Sequence, residues 1–203
     1  MGLVASFNRP GGNVTGIVVL IDVLGAKRLG LLRDLVPTGT LIAVLLNPDE
    51  TSFETQLKDV QDAARMGGQQ IHVLRASTEP EIDLAFATAK ELKAGAMLVG
   101  VNFFYTLRRE QIAMQAARAA IPVIYGQREF ISAGGLMSYA ANLVDAHREA
   151  GIYAGIILKG ARPADLPVVQ VSKLDLVINL KTARTLGLTI PPGIMAIADE
   201  VIE

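Results

Sequence analysis

The chain contains no cysteine and only two histidines, His72 and His147. Without cysteine there is no disulfide, no iron–sulfur cluster and no thiol nucleophile, and that absence fits either side of a membrane. A zinc site would have to gather carboxylates from afar around two distant histidines, so neither a metal nor a cofactor is expected. An excess of charge of one sign is missing too, since the formal net charge is -1. The adjacent Arg108 and Arg109 read as a solvated helix face, and no nucleic-acid partner is expected. No apolar run approaches the roughly 20 residues of a membrane span, and Met1-Gly2-Leu3-Val4 has neither the basic start nor the apolar core of a signal peptide. Absence of a Gly-x-Gly-x-x-Gly loop, a Walker lysine and a Gly-x-Ser-x-Gly elbow removes support for nucleotide and hydrolase chemistry.

What is present is a hydrophobic chain of 203 residues, 51% apolar and 19% charged. That balance excludes a disordered tail and fits a sheet covered on both faces. Short continuous apolar runs bounded by turn formers read as buried strands at Leu41–Leu46, Ile71–Leu74, Met97–Val101, Val123–Tyr125 and Leu136–Tyr139. Between them, apolar residues recur at helical spacing: Leu57, Val60 and Ala64, then Ile82, Ala85, Phe86, Ala89 and Leu92, then Ile112, Ala116 and Ala119. A helix from Val23 to Leu35 and a strand from Val14 to Leu20 precede them. Alternation of this kind predicts an α/β fold, a doubly wound parallel sheet with right-handed crossovers.

In such a sheet, ligands meet the carboxyl ends of the strands near the point where strand order reverses. The ends of the first, third and fourth of these strands carry Asn47, Asn102, Phe103, Tyr125, Gln127 and Arg128, which the topology brings to one crevice. Asn47 before Pro48 places an amide toward a ligand or merely opens a turn and helix. Arg128 and Glu129 suit the carboxylate and ammonium of an amphoteric ligand, or form a local ion pair. Phe103 walls a pocket or covers the sheet edge. Ser138 and Tyr139 offer hydroxyls to a ligand or mark a hinge where the chain leaves the lobe.

After Tyr139 the alternation stops. A helix from about Asn142 to Lys159 is followed by a strand-like Val168–Val171, a mixed segment Leu176–Leu186, and a last helix opened by Pro191-Pro192 with Ile194, Ile197, Ala198 and Val201 as its apolar stripe.

Several stretches carry a resemblance: Arg9-Pro10-Gly11-Gly12-Asn13-Val14-Thr15-Gly16, Leu45-Leu46-Asn47-Pro48, Arg128-Glu129-Phe130, Gly134-Gly135-Leu136-Met137-Ser138-Tyr139, Leu176-Val177-Ile178-Asn179-Leu180-Lys181-Thr182-Ala183 and Ala198-Asp199-Glu200-Val201-Ile202-Glu203. Together the chain resembles the substrate-binding proteins of ABC transporters of the tryptophan/tyrosine-receptor-like group, with the type I periplasmic binding protein fold. The resemblance implies a non-enzymatic receptor, periplasmic or otherwise extracytoplasmic, whose two lobes close on a small organic solute, amino-acid-like and aromatic or branched, and deliver it to an ABC permease. Residues 1–16 would end the first lobe and make the first crossing, 17–140 form the second lobe, 141–171 return to the first, and 172–203 return to the second. The chain therefore looks like one complete lobe plus parts of another, truncated at its start. A closed pocket buries roughly 70–90% of a small ligand. If half of those contacts are missing, a micromolar solute at about -8 kcal/mol keeps about -4, roughly millimolar. The incomplete first-lobe surface points to a homodimer in which the 142–159 helix packs on another copy. A cytoplasmic ligand-sensing domain of the same fold is the alternative reading.

Overall fold

The computed structural model describes residues 2–19, 24–171 and 173–203. The expected strand end at Leu20, the helix start at Val23 and Ser172, where the return to the second lobe is expected to begin, lie outside them. The chain divides into two compact units, residues 1–20 with 141–174, and residues 21–140 with 175–203.

The larger unit is the doubly wound sheet expected from the sequence. Its described elements are α1 (Gly25–Leu35), β2 (Ile42–Leu46), α2 (Phe53–Gly67), β3 (Ile71–Arg75), α3 (Glu79–Glu91), β4 (Ala96–Val99), α4 (Phe103–Leu107), α5 (Arg109–Ala119), β5 (Val123–Tyr125), α6 (Glu129–Ser132) and β6 (Met137–Ala141), with β8 (Leu174–Asn179), α8 (Leu180–Thr185), α9 (Pro192–Met195) and β9 (Glu200–Ile202) from the tail. Strand order is β3-β2-β4-β5-β6-β8-β9. From β2 the chain steps outward to β3 and then returns to β4 on the other side, both in parallel register, so the order reverses between β2 and β4.

All five residues of β2 are buried, as a strand covered on both faces requires. Successive side chains point to opposite faces. Ile42, Val44 and Leu46 therefore join Leu29, Leu32, Val60, Ala183 and Ile194 in one helix-covered layer. Ala43 and Leu45 join Ile82, Phe86, Ile112 and Ala116 in the other. Local signals set the helix ends: Thr78 and Glu81 form a capping box at α3, and α2 stops at Gly68, whose φ of 61° is left-handed.

The tail differs from the sequence reading. The last helix ends at Met195 instead of reaching Val201, and Glu200–Ile202 is a strand. Asp199 decides this, because its N–H donates to Leu176 O at 2.9 Å while its Oδ2 accepts from Leu176 N at 2.8 Å. That clamp lays the following residues along β8 in parallel register, Val177 opposite Glu200. Asn179 N donates to Leu136 O, and Asn142 N to Lys173 O, so β8 runs opposite to β6 and the sheet is mixed at this edge.

The smaller unit holds β1 (Ile17–Val18) and β7 (Val169–Gln170), paired in parallel, with α7 (Leu143–Leu158) and a single 3-10 turn at Pro163–Asp165. Ile17 pairs with Val169 and Val18 with Gln170 within this unit. Thr15 Oγ1 donates to Leu166 O at 2.6 Å, and Tyr153 Oη to Pro167 O at 2.8 Å. Of the sixteen residues of α7 only Ala146 is buried, and Val144 and Leu158 are 78% and 87% exposed.

Candidate ligand site

The strand-order reversal leaves its polar residues where β2 and β4 end. Pro48 has no N–H to continue the ladder, so the chain turns there, with Asn47 Oδ1 accepting from Asp49 N at 2.9 Å. Asn47 Nδ2 donates to Asn102 Oδ1 at 3.3 Å. Asn102 caps α4 by accepting from Tyr105 N at 3.2 Å, and its Nδ2 donates to Glu50 Oε2. The result is an amide–amide–carboxylate chain across the reversal point, and Phe103 stands beside it with 72% of its surface exposed. Glu50 was not among the residues singled out in the sequence, where it reads as a loop acid.

At the end of β5, Gly126 lets the buried Arg28 approach. A Cβ on Gly126 would stand 2.4 Å from Val101 Cγ2 and 3.0 Å from Arg28 Cζ. Arg28 is 1% exposed, and its Nε donates to Tyr139 O at 2.9 Å, in the middle of β6. A buried arginine on an amphipathic helix is a signal the apolar periodicity of α1 conceals. Gln127 is half-buried and its Oε1 accepts from Thr106 Oγ1. Tyr139 is also half-buried, and burial with the nearby Asp199 carboxylate raises its phenol above the usual value.

Arg128 and Glu129 are both exposed, but they do not form the local pair considered from sequence. Arg128 Nη2 donates to Glu200 Oε1 at 2.7 Å, at the start of β9. That hydrogen bond raises the guanidinium further and holds the Glu200 carboxyl below its ordinary range. A solute carboxylate arriving at Arg128 would compete with Glu200.

Two expectations are corrected. Tyr125 and Ser138 are both 0% exposed, and their hydroxyls find no protein partner. The Tyr125 ring stacks on Phe130, 4.4 Å between centroids and 10° between planes, inside the layer covered by α3 and α5. Burial pushes its phenol well up. Both residues lie within strands, opposite each other in register. Strand side chains point alternately into the two helix-covered layers, and at these two positions the layers close over the hydroxyls. No group of three or more metal-ligating side chains occurs among the described residues. Among them no helix is long and apolar enough to cross a membrane.

Thus Asn47 and Asn102 meet where β2 and β4 end, Phe103 follows Asn102 and Gln127 follows β5, whereas Arg128 is bound to Glu200, Tyr139 lies within β6, and Tyr125 and Ser138 are buried. The profile of the family described as ABC transporter substrate binding protein matches residues 1–202. A tyrosine-binding protein of Clostridioides difficile is 25% identical over 187 residues, 92% of this chain and 53% of the relative, so the chain spans about half that protein's length. Among solved structures, an ABC domain from Streptococcus pneumonia in complex with L-Trp superposes with a TM-score of 0.83 at 27% identity, covering 98% of this chain and 68% of the other. A conserved domain protein from Vibrio cholerae gives 0.83 at 25% identity, with 98% and 66% covered. The match over nearly every residue, on a sheet whose strand-order reversal carries this polar edge, places the chain in the ABC transporter substrate-binding protein family.

Proposed function

We propose that the chain belongs to the solute-binding component of an ABC transporter and holds an amino-acid-like solute, aromatic or branched, at the carboxyl edge of its seven-stranded sheet. The component works outside the cytoplasm, performs no chemistry on the solute, and hands it to a membrane permease. The observation that carries this is Phe103, 72% exposed beside the Asn47–Asn102–Glu50 chain. An exposed ring next to amides and a carboxylate can stack on an aromatic side chain while holding an ammonium group. The tyrosine named for the C. difficile relative and the L-Trp held by the Streptococcus structure support the same class. Calorimetric titration with L-Trp, L-Tyr and L-Leu tests it, together with native mass spectrometry of the purified protein. Saturable binding of at least one, at millimolar strength or better, is expected. No heat with any of them, or a retained mass of another chemical class, contradicts the solute assignment.

This chain also forms a homodimer, in which the exposed Val144, Ile152 and Leu158 of α7 pack on a second copy. Light scattering behind size exclusion checks this, and a monomer at high concentration refutes it.

A further inference from the structure

The buried stripe of α2 is Phe53, Gln56, Val60 and Ala64, at helical spacing with one amide among apolar side chains. Gln56 is 6% exposed, and an amide there needs its hydrogen bonds supplied from within. All of them come from the segment that carries the candidate site or from its own helix. Gln56 Oε1 accepts from Val101 N at 2.8 Å, and Gln56 Nε2 donates to Val101 O at 2.9 Å and to Ser52 Oγ at 2.9 Å. One side-chain amide thus satisfies both peptide groups of Val101, two residues after β4 has ended. Gly100 makes room for this, since a Cβ there would stand 2.8 Å from Gln56 Oε1. On the other side Val101 wedges against Gly126 at the end of β5. Asn102 and Phe103 follow directly.

We infer that Gln56 is a positioning residue for solute recognition: by clamping the Val101 peptide it fixes the backbone from which Asn102 reaches Asn47 and Glu50 and from which Phe103 projects. The inference rests on the proposed solute site for its effect on affinity, and on geometry alone for its effect on Phe103. Gln56→Met keeps the volume and removes both bonds to Val101, whereas Gln56→Glu keeps an acceptor for Val101 N. If the methionine variant does not fold, the glutamate variant carries the test.

Protein labelled with fluorophenylalanine gives a resonance for each of six phenylalanines, and that of Phe103 is assigned with Phe103→Leu. Well below the melting temperature, the Phe103 resonance shifts or broadens in the Gln56 variant while that of Phe86, buried under α3 in the opposite layer, stays in place. L-Trp affinity falls about tenfold or more, a step of about 1.4 kcal/mol. A folded variant with the Phe103 resonance of the wild type overturns the inference, since a merely structural role lowers the melting temperature without moving that ring. If the wild type binds neither L-Trp nor L-Tyr, the solute reading fails, and the resonance still decides the positioning role.

Discussion

Replacing Gly126 by alanine tests the packing beneath the site. The φ of Gly126 is not among the positive values, so alanine meets no backbone penalty and the effect is one of space. The added methyl would lie 2.4 Å from Val101 Cγ2, 3.0 Å from Arg28 Cζ and 3.1 Å from Arg28 Nη1. Val101 is 6% exposed and held by Gln56, while Arg28 is 1% exposed and tied to Tyr139 O. Neither neighbour is the free end of a flexible chain, so the strand end must shift. Overpacking of this kind costs about 1–3 kcal/mol. For a chain of this length each kcal/mol moves the melting temperature by about 2–4 °C, which gives a drop of about 2–12 °C. Gly30 supplies the control: it lies within α1 with nothing inside 4 Å of an added Cβ. Gly30→Ala is expected to stabilise by about 0.5–1 kcal/mol. Thermal melts followed by circular dichroism separate the two variants. A Gly126→Ala protein that melts with the wild type or above it refutes the contact between Arg28, Val101 and the end of β5.

Phe103→Ala is expected to lower L-Trp affinity by about two- to tenfold, through loss of an aromatic contact worth about 0.5–1.5 kcal/mol, and to leave the melting temperature unchanged because the ring is exposed. Equal affinity in a calorimetric titration would remove Phe103 from the site. Asn102→Ala should cost about 1 kcal/mol by uncapping α4 and should weaken solute binding as well, and urea denaturation with a parallel titration reads both effects. The Arg128–Glu200 pair gives a pH dependence. Glu200 has its folded value depressed by the Arg128 hydrogen bond, so the pair's stabilisation is present above the unfolded carboxylate value and is lost as pH falls through the folded one. With both side chains about half exposed, at 52% and 42%, it amounts to only a few tenths of a kcal/mol. Arg128→Gln should therefore flatten the acid limb of stability slightly in urea melts between pH 5 and 3, and an unchanged limb would exclude this pair as its source.

The sheet was legible because β2, β4 and β5 are uninterrupted apolar runs closed by Asn47-Pro48, by Asn102, and by Gly126. Bounded runs too short for a helix read as strands buried on both faces, and their order placed Asn47 and Asn102 together. The tail was less legible, since Ile194, Ile197, Ala198 and Val201 fit a helical stripe equally well until the Asp199 bonds to Leu176 impose a strand. Tyr125, Ser138 and Tyr139 were read as strand-end residues, but the Tyr125 ring turns inward to stack on Phe130 and the other two lie inside β6. Partners distant in sequence left no trace: Arg128 finds Glu200 across 72 positions, and Gln56 finds Val101 across 45. Gln56 did leave one local sign, an amide in an otherwise apolar helical stripe.

Amide chemical-shift mapping during titration with L-Trp and L-Tyr tests the central claim most directly. The account expects concentration-dependent shifts concentrated at Asn47, Glu50, Asn102, Phe103, Gln127 and Tyr139, with α3 and the outer turns of α2 silent. Shifts that cluster elsewhere, or none at millimolar solute, contradict a binding edge at the carboxyl ends of β2, β4 and β5.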